Sequence, residues 1–464
     1  SSLLYQQTVI LYVRTNNTTT TTSTTISKMS ASSMNIVIIG GSNTGLMNGV
    51  VLKRLGHNVR ILEQNTQSQR DDLAAGITTH PVFEEFMKRH DRTAESWAVQ
   101  SPGLQFLDKA AAVTRRLNKP LQMTSWGVIY HHLRANFDGF SSSFCPNPPA
   151  REKGDGDTVF ECGKRVTGLT RSSSGVEITY EDLLNEKEEG KLLADIVIIA
   201  NGANSALRSA LFPGVERVYA GYVAFRGTVP ESEVSEEAKK TFDPNLSYNS
   251  FDNGYILLYI IPGTDGSLAP GHRRYNWVWY HPLPAGSPEL QNIMTDTSGA
   301  VHRNTLPVGT MQPSTWAPYV SLATNLMCAP FAEMVQKTTQ PFITAISDVS
   351  CPRATALDGT VLIAGEALHL MRPHMALSTT QSAMQALLLE RFFKREISLK
   401  EWEKQVLQYG RVSAYKTNAF GSFFLYGYLS TAGWLVKLAG ALLGALPPFS
   451  WLADSAETES TKKK

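Results

Sequence analysis

A chain of 464 residues exceeds one small domain and can bury a large core, with two closely joined lobes the natural expectation. Its 43 basic and 41 acidic residues nearly balance, and no run interleaves Lys and Arg with aromatics, which excludes the electrostatic footprint of a nucleic-acid binder. Cys145, Cys162, Cys328 and Cys351 are scattered without CxxC or Cys/His ligand spacing, so isolated thiols in a reducing, cytoplasmic setting are expected, with neither a disulfide framework nor a metal site.

Residues 1–33 form a polar, Thr-rich tract behind a short apolar patch, beginning without Met. Such a composition buries too little apolar surface to offset the entropy of ordering, so a disordered tail is expected. Translation from Met29 or Met34 would make it an upstream artefact; a targeting peptide is the other reading.

From Met34 the run MNIVIIGG predicts a parallel strand covered on both faces, because Ile36 to Ile39 are all apolar. A Gly-rich turn, a helical pattern and a second strand ending in Glu63 follow. In such a βαβ unit the turn brings backbone N–H groups against a pyrophosphate, and the helix aims its positive end at the anion. Gly40, Ser42, Asn43 and Gly45 are the candidate contacts, and Glu63 is placed to hold ribose hydroxyls. Ser42 stands where the GxGxxG pattern has its second Gly; the strand before and the helix after supply the context that the motif alone lacks.

Further along, residues 158–181 alternate as a hairpin does, and 192–202 and 359–366 repeat the texture of the buried first strand. Residues 255–281 are β-rich, and 285–345 are broken by Pro, Thr and Gly. The expected fold is α/β: a discontinuous Rossmann-like lobe from 34–80, 150–215 and 345–400, an inserted antiparallel β-rich lobe from 81–149 and 216–344, and a C-terminal helical segment and tail from 401–464. Residues 419–449 are apolar and rich in small residues, but Lys437 interrupts them short of the ~20 apolar residues a membrane span needs. A helical hairpin packed on the protein is the first reading, and peripheral insertion into a membrane surface the second.

Three motifs together resemble the class A flavoprotein aromatic hydroxylases, which share the p-hydroxybenzoate hydroxylase fold. GGSNTG with Glu63 is similar to the family's FAD ADP-binding motif. NGANSALR, from Asn201 to Arg208, is similar to its DGxxSxxR motif, and GEALHLMRPHMALS, from Gly365 to Ser378, to its GDxxHxxxP motif. The phrases YAGYVAFRG, RRYNWVWY and RPH are similar to the 2,6-dihydroxypyridine 3-monooxygenase-like branch. The resemblance implies an FAD-binding lobe joined to a substrate lobe, with Asn201, Gly202, Arg208, Gly365, Glu366 and Ser378 at the cofactor. Asn201 and Glu366 replace Asp, and Met375 and Ser378 stand where many relatives have Gly beside the flavin.

The activity implied is insertion of one oxygen atom from dioxygen into a phenolic or hydroxylated N-heteroaromatic molecule, with NADH or NADPH as electron donor. Epoxidation, Baeyer–Villiger insertion and a flavin-free descendant of the fold are the alternatives. One dinucleotide fingerprint is present, so FAD would occupy it and the nicotinamide cofactor would dock transiently, through residues such as Asn201 to Arg208. Tyr222, Arg226, His281 and His374 are the candidate polar groups of the substrate pocket, and His369 is expected to make a structural hydrogen bond. Tyr275, Trp277, Trp279 and the run Ile256 to Ile261 are candidates for a water-excluding wall, of which period two lets at most half face the pocket.

Overall fold

The computed structural model describes residues 33–67 and 76–444; the expectations for residues 1–32 and 445–464 lie outside the described residues. Asn35–Ile39 is a strand whose apolar run is buried on both faces. It pairs in parallel with Asn58–Leu62 on one side and Ile196–Ile199 on the other. Thr158–Glu161 and Val361–Ile363 extend this sheet in parallel, and Thr355–Ala356 is a short antiparallel edge. Stretches far apart in the chain thus share one sheet, and parallel pairing brings the C-terminal ends of their strands to one side, where ligands of open α/β sheets bind.

The second sheet is larger and mostly antiparallel. Its order is Thr305–Leu306, Phe342–Ser350, Val218–Pro230, Arg274–Pro282, Gly254–Ile261, Leu246–Phe251, Val99–Leu107, Val113–Ser125 and Gly76–Thr78. Successive side chains on a strand point to opposite faces, and this alternation sorts the aromatic residues. Tyr275, Trp277, Trp279, Phe225, Ile256 and Leu258 pack on one face with Trp316, Tyr319 and Phe331. Those three partners come from helices Pro313–Leu326 and Ala329–Lys337, which begin with Pro in the first turn, where its missing N–H costs nothing. The opposite face carries Tyr222, Ala224, Tyr255, Leu257, Tyr259, Val278 and Tyr280.

Two expectations are corrected here. Residues 158–181 are not one hairpin: Thr158–Glu161 joins the parallel sheet, and the hairpin is Lys164–Ser172 with Gly175–Asp182, continued by Glu188–Ala194. Tyr275, Trp277 and Trp279 share one parity, so all three turn into the helix-covered core and none lines the cavity described below.

The C-terminal segment is a hairpin of Leu399–Tyr426 and Tyr428–Gly444, turning at Gly427 with φ of +77°. No helix among the described residues is long and apolar enough to cross a membrane. The outward side of Tyr428–Gly444 leaves Tyr428, Leu429 and Val436 exposed.

Candidate active site

A single cavity of about 610 Å³ runs from the C-terminal edge of the parallel sheet to the inner face of the antiparallel one. At its first end the chain turns at Gly40 with φ of +107°, and a Cβ there would lie 2.5 Å from the Ala200 carbonyl oxygen. A Cβ on Gly45 would lie 2.0 Å from the Gly40 oxygen, so both glycines are required by close approach. Gly45 does not itself line the cavity; it seats the helix Asn43–Arg54 against the turn. Ser42 caps that helix in ordinary extended backbone, φ −91°, and its hydroxyl meets Trp126 Nε1 at 3.2 Å. The motif's second Gly is therefore not needed for backbone conformation.

Glu63 is buried beside this turn. One carboxylate oxygen accepts from Gly41 N–H and the other from Asn65 N–H, each at 2.8 Å. The Gly40 N–H is used by the Leu62 carbonyl, which leaves the first-turn N–H groups of the helix, orphaned in every helix, for an anion. Asn43 Oδ1 and Asn201 Oδ1 are buried in the cavity wall without a hydrogen-bond partner. A close-approach glycine turn, a helix N-terminus, an acid and two unused amide oxygens fit the phosphates and hydroxyls of FAD.

The second motif contributes Asn201 and Gly202 to the cavity, but not Arg208. The Arg208 guanidinium donates to the carbonyls of Ala203 and Ala367 at 2.9 and 3.3 Å, bracing the second motif's loop against the third. In the third motif Gly365 has φ of +63° and a Cβ there would strike Thr44 Oγ1 at 2.4 Å. Gly365 is fixed by Gln381 and Gln385 rather than lining the cavity: its N–H donates to Gln385 Oε1 and its carbonyl accepts from Gln381 Nε2. The two departures at Glu366 and Ser378 belong together. Both line the cavity, and the Ser378 hydroxyl donates to Glu366 Oε1 at 2.7 Å. The longer acid reaches the hydroxyl that replaces glycine, so the altered motif is internally satisfied.

The far end is apolar and aromatic. Leu104, Leu121, Leu246, Leu257, Val278, Tyr248, Tyr259, Tyr280 and Phe420 enclose it, and Arg226 points in from the strand Val218–Pro230. Among the described residues no carboxylate lies within ion-pair distance of Arg226, and its buried Nε has no partner. Burial pushes the Tyr259 hydroxyl up to about 12 and those of Tyr248 and Tyr280 higher, so all three are neutral donors or acceptors.

His374 also faces the cavity, yet both ring nitrogens are taken: Nε2 meets Tyr222 OH and Nδ1 meets Tyr255 OH, each at 2.6 Å. Burial, reinforced by the Arg372 charge, lowers its pKa to about 3. The ring is a neutral wall with no nitrogen left to take a substrate proton. Tyr222 lies behind it, outside the cavity lining. His281 falls on the opposite face of the sheet against Phe225, Trp279 and Tyr319, and is not part of the site. His369 is a structural residue, its Nδ1 3.3 Å from Ser350 Oγ.

Several site residues carry no signal in the sequence. His80, Lys119 and Tyr248 reach the cavity from strands and loops with no motif. The C-terminal helix Leu399–Tyr426 is part of the site itself, since Phe420 lines the cavity and a Cβ on Gly421 would lie 2.1 Å from His374 Nε2. Thr417, one turn away, donates to the Arg372 carbonyl at 2.8 Å. Among the described residues no cluster of His, Cys, Asp or Glu could hold a metal ion.

A family model described as FAD binding domain-like matches residues 219–348. The chain is 28% identical over 403 residues to 2,6-dihydroxypyridine 3-monooxygenase of Paenarthrobacter nicotinovorans, covering 84% of this chain and 92% of that one. Its fold matches the solved 2,6-dihydroxypyridine-3-hydroxylase of Arthrobacter nicotinovorans with a TM-score of 0.73 at 25% identity, over 86% of this chain and 94% of that one. The chain is an FAD-dependent monooxygenase that resembles the class A flavoprotein hydroxylases. This monooxygenase is also 25% identical over 372 residues to 6-hydroxynicotinate 3-monooxygenase of Bordetella bronchiseptica, covering 78% of this chain and 82% of that one. Klebsiella pneumoniae HpxO, solved with FAD and uric acid, shares the fold with a TM-score of 0.64 at 18% identity, over 87% of this chain and 92% of that one.

Proposed function

We propose that this monooxygenase hydroxylates a small aromatic substrate of the hydroxylated N-heterocycle class, with NADH or NADPH as electron donor. The observation that carries the reading is the continuity of one cavity from the glycine turn and Glu63 to an aromatic chamber holding Arg226, which has no carboxylate partner among the described residues. FAD bound in the first half supplies the hydride acceptor and the activation of dioxygen, neither of which a side chain provides.

The chain's own residues bind, orient and exclude water. The first turn of the helix Asn43–Arg54 would hold the pyrophosphate, Glu63 the adenosine ribose, and Asn43, Asn201 and the Glu366–Ser378 pair the remaining polar groups of the cofactor. The aromatic chamber keeps water from the reacting ring, and Arg226 orients it. Asn201 and Gly202, at the cavity wall, would receive the nicotinamide cofactor transiently, and Arg208, buried and braced on backbone carbonyls, would take no part in that docking.

The test is stopped-flow reduction of the flavin by NADH and NADPH against hydroxylated pyridines and phenols, with products searched for one oxygen atom derived from dioxygen. Reduction accelerated by such a compound, with a hydroxylated product, is expected. A flavin that neither nucleotide reduces with any of them would refute the reading while leaving the FAD site in place.

A further inference from the structure

We propose that a second, smaller cavity, separate from the one that holds cofactor and ring, binds a small organic ammonium ion through Glu95, His132 and Asp265. It measures about 270 Å³ and shares no lining residue with the larger cavity. The inference goes beyond the monooxygenase reading and does not depend on it. Glu95 and Ser96 follow the helix Pro81–His90, and His132 lies on the helix Trp126–Asp138. Asp265 and Ser267 belong to the loop joining Gly254–Ile261 to Arg274–Pro282. That loop is seated by Gly266, φ +87°, where a Cβ would lie 2.7 Å from Phe144 Cδ1.

His132 is 1% exposed and lines this cavity. Its Nδ1 lies 2.9 Å from both Asp91 Oδ2 and Thr93 Oγ1, and the Thr93 hydroxyl already donates to Asp91 Oδ1 at 2.8 Å. Two acceptors therefore face Nδ1, which must carry the ring proton, so a neutral imidazole presents its lone pair at Nε2. Asp91, despite burial, is held below the usual carboxylate range by His132, Thr93 and Asn136, which fixes this arrangement. Among the described residues Nε2 has no partner. Glu95 Oε2, also at the cavity, is buried without a hydrogen-bond partner. An orphaned buried carboxylate oxygen is costly unless a donor reaches it.

The cavity has no counter-charge of its own: among the described residues no Lys or Arg lines it. Basic side chains of the bordering elements are committed elsewhere, Arg92 to Glu152 at 2.7 Å, Arg134 to Asp138 at 2.8 Å and Arg273 to Glu231 at 2.6 Å. Arg274 donates to the carbonyls of Pro262 and Gly263. A neighbour registers the negative field: burial, with the charges of Glu95 and Asp91, pushes the Cys145 thiol up to about 12. Acceptors with no donor opposite them suit a ligand that is all donor, and an alkylammonium has three N–H groups, no acceptor and one positive charge. Among the described residues no three His, Cys, Asp or Glu side chains are placed to hold a metal ion, so the fitting cation is one reached by hydrogen bonds. The larger cavity, which carries Arg226 and Lys119, repels the same ligand.

The experiment is isothermal titration calorimetry of the FAD-loaded protein at about pH 8, where simple alkylamines remain charged. The probes are 1,4-diaminobutane, n-butylamine and the uncharged n-butanol. Both amines should bind once per chain, equally well with and without FAD, and butanol should not bind. Glu95→Gln keeps the shape and removes the charge, and should weaken the amines about 10- to 100-fold, the range of one lost charge-assisted hydrogen bond. Asp265→Asn, in an exposed loop where folding is not at stake, tests the second carboxylate and should weaken them about two- to fivefold. Flavin content should be the same in both variants as in the parent protein.

Amine affinity unchanged by both variants, no binding of either amine at millimolar concentration, or butanol held as tightly as butylamine would each overturn the proposal. So would displacement of the amine by stoichiometric Ca²⁺ or Zn²⁺, since the acceptors would then form a metal site. Amine binding that disappears when FAD is removed would place the ligand in the larger cavity and overturn it equally. Flavin reduction enters none of these measurements, so the monooxygenase reading stands or falls separately.

Discussion

Replacing Glu63 by Ala separates the two duties of the carboxylate. In the folded protein its oxygens accept from Gly41 N–H and Asn65 N–H at 2.8 Å each, while the side chain faces the cavity. Without cofactor, the Gly41 and Asn65 N–H groups lose their acceptor, the first of them in a buried position, so the loss of stability should be about 1–3 kcal/mol. With cofactor bound, water is excluded and the ribose hydroxyls lose a charged acceptor, a difference of about 1.5–3 kcal/mol, or roughly 10- to 100-fold in Kd for FAD. Titrating FAD into apoprotein and following the quenching of flavin fluorescence measures the second number; urea unfolding of the apoprotein measures the first. An unchanged Kd would refute the placement of the ribose at Glu63. A stability loss that accounts for the whole change in Kd would show that the acid only shapes the turn.

Three other outcomes follow from the geometry. Glu366→Leu should lower FAD occupancy, whereas Glu366→Asp combined with Ser378→Gly should restore it. In that cycle the two sites should couple by about 1 kcal/mol, measured from FAD affinities, because their side chains bond each other. Gly421→Ala places a Cβ where His374 Nε2 lies 2.1 Å away, and should cost about 1–3 kcal/mol in urea unfolding and raise the substrate KM. His80, His369 and His374 have folded pKa values pushed down to about 4, 4 and 3, so the unfolded chain binds more protons between those values and pH 6.5. Stability should therefore be full above pH 6.5 and fall on acidification at about 1.4 kcal/mol per pH unit per histidine; unfolding midpoints of His369→Asn against pH should show a shallower slope.

The cofactor half was legible because its chemistry is written in short contiguous stretches. A turn that tolerates no Cβ at Gly40 and Gly45, a strand of four apolar residues and an acid after the next strand are local requirements, and they leave local marks. Period two also limited the dry wall to half the residues of each strand, but parity along one strand does not say which half. That depends on which face the helices Pro313–Leu326 and Ala329–Lys337 cover, a fact of tertiary packing. Trp277 and Trp279 look like a pocket wall and are core, while Val278 and Tyr280, between and beside them, line the pocket. His281 was misplaced for the same reason, since it shares the parity of Trp279.

The C-terminal helix shows the limit most clearly. Read as sequence, residues 401–464 are a C-terminal helical segment with an apolar stretch at 419–449, with nothing to connect them to a site that begins at Gly40. In the fold, Gly410 and Gly421 both sit on the face turned toward the third motif, where a Cβ would lie 2.1 Å from the His369 ring and 2.1 Å from the His374 ring respectively. Eleven residues is three helical turns, so the two notches fall in line along the helix. Each glycine is unfavourable inside a helix by roughly 0.5–1 kcal/mol relative to Ala, and what it gains is room for an imidazole. His374 then keeps both tyrosine hydroxyls bonded, and Arg372, one residue before Pro373, is tied to Asp348 and to the helix through Thr417. The loop beside the flavin half is thus positioned by glycines more than forty residues downstream, which mark that contact only once the partner histidines are known.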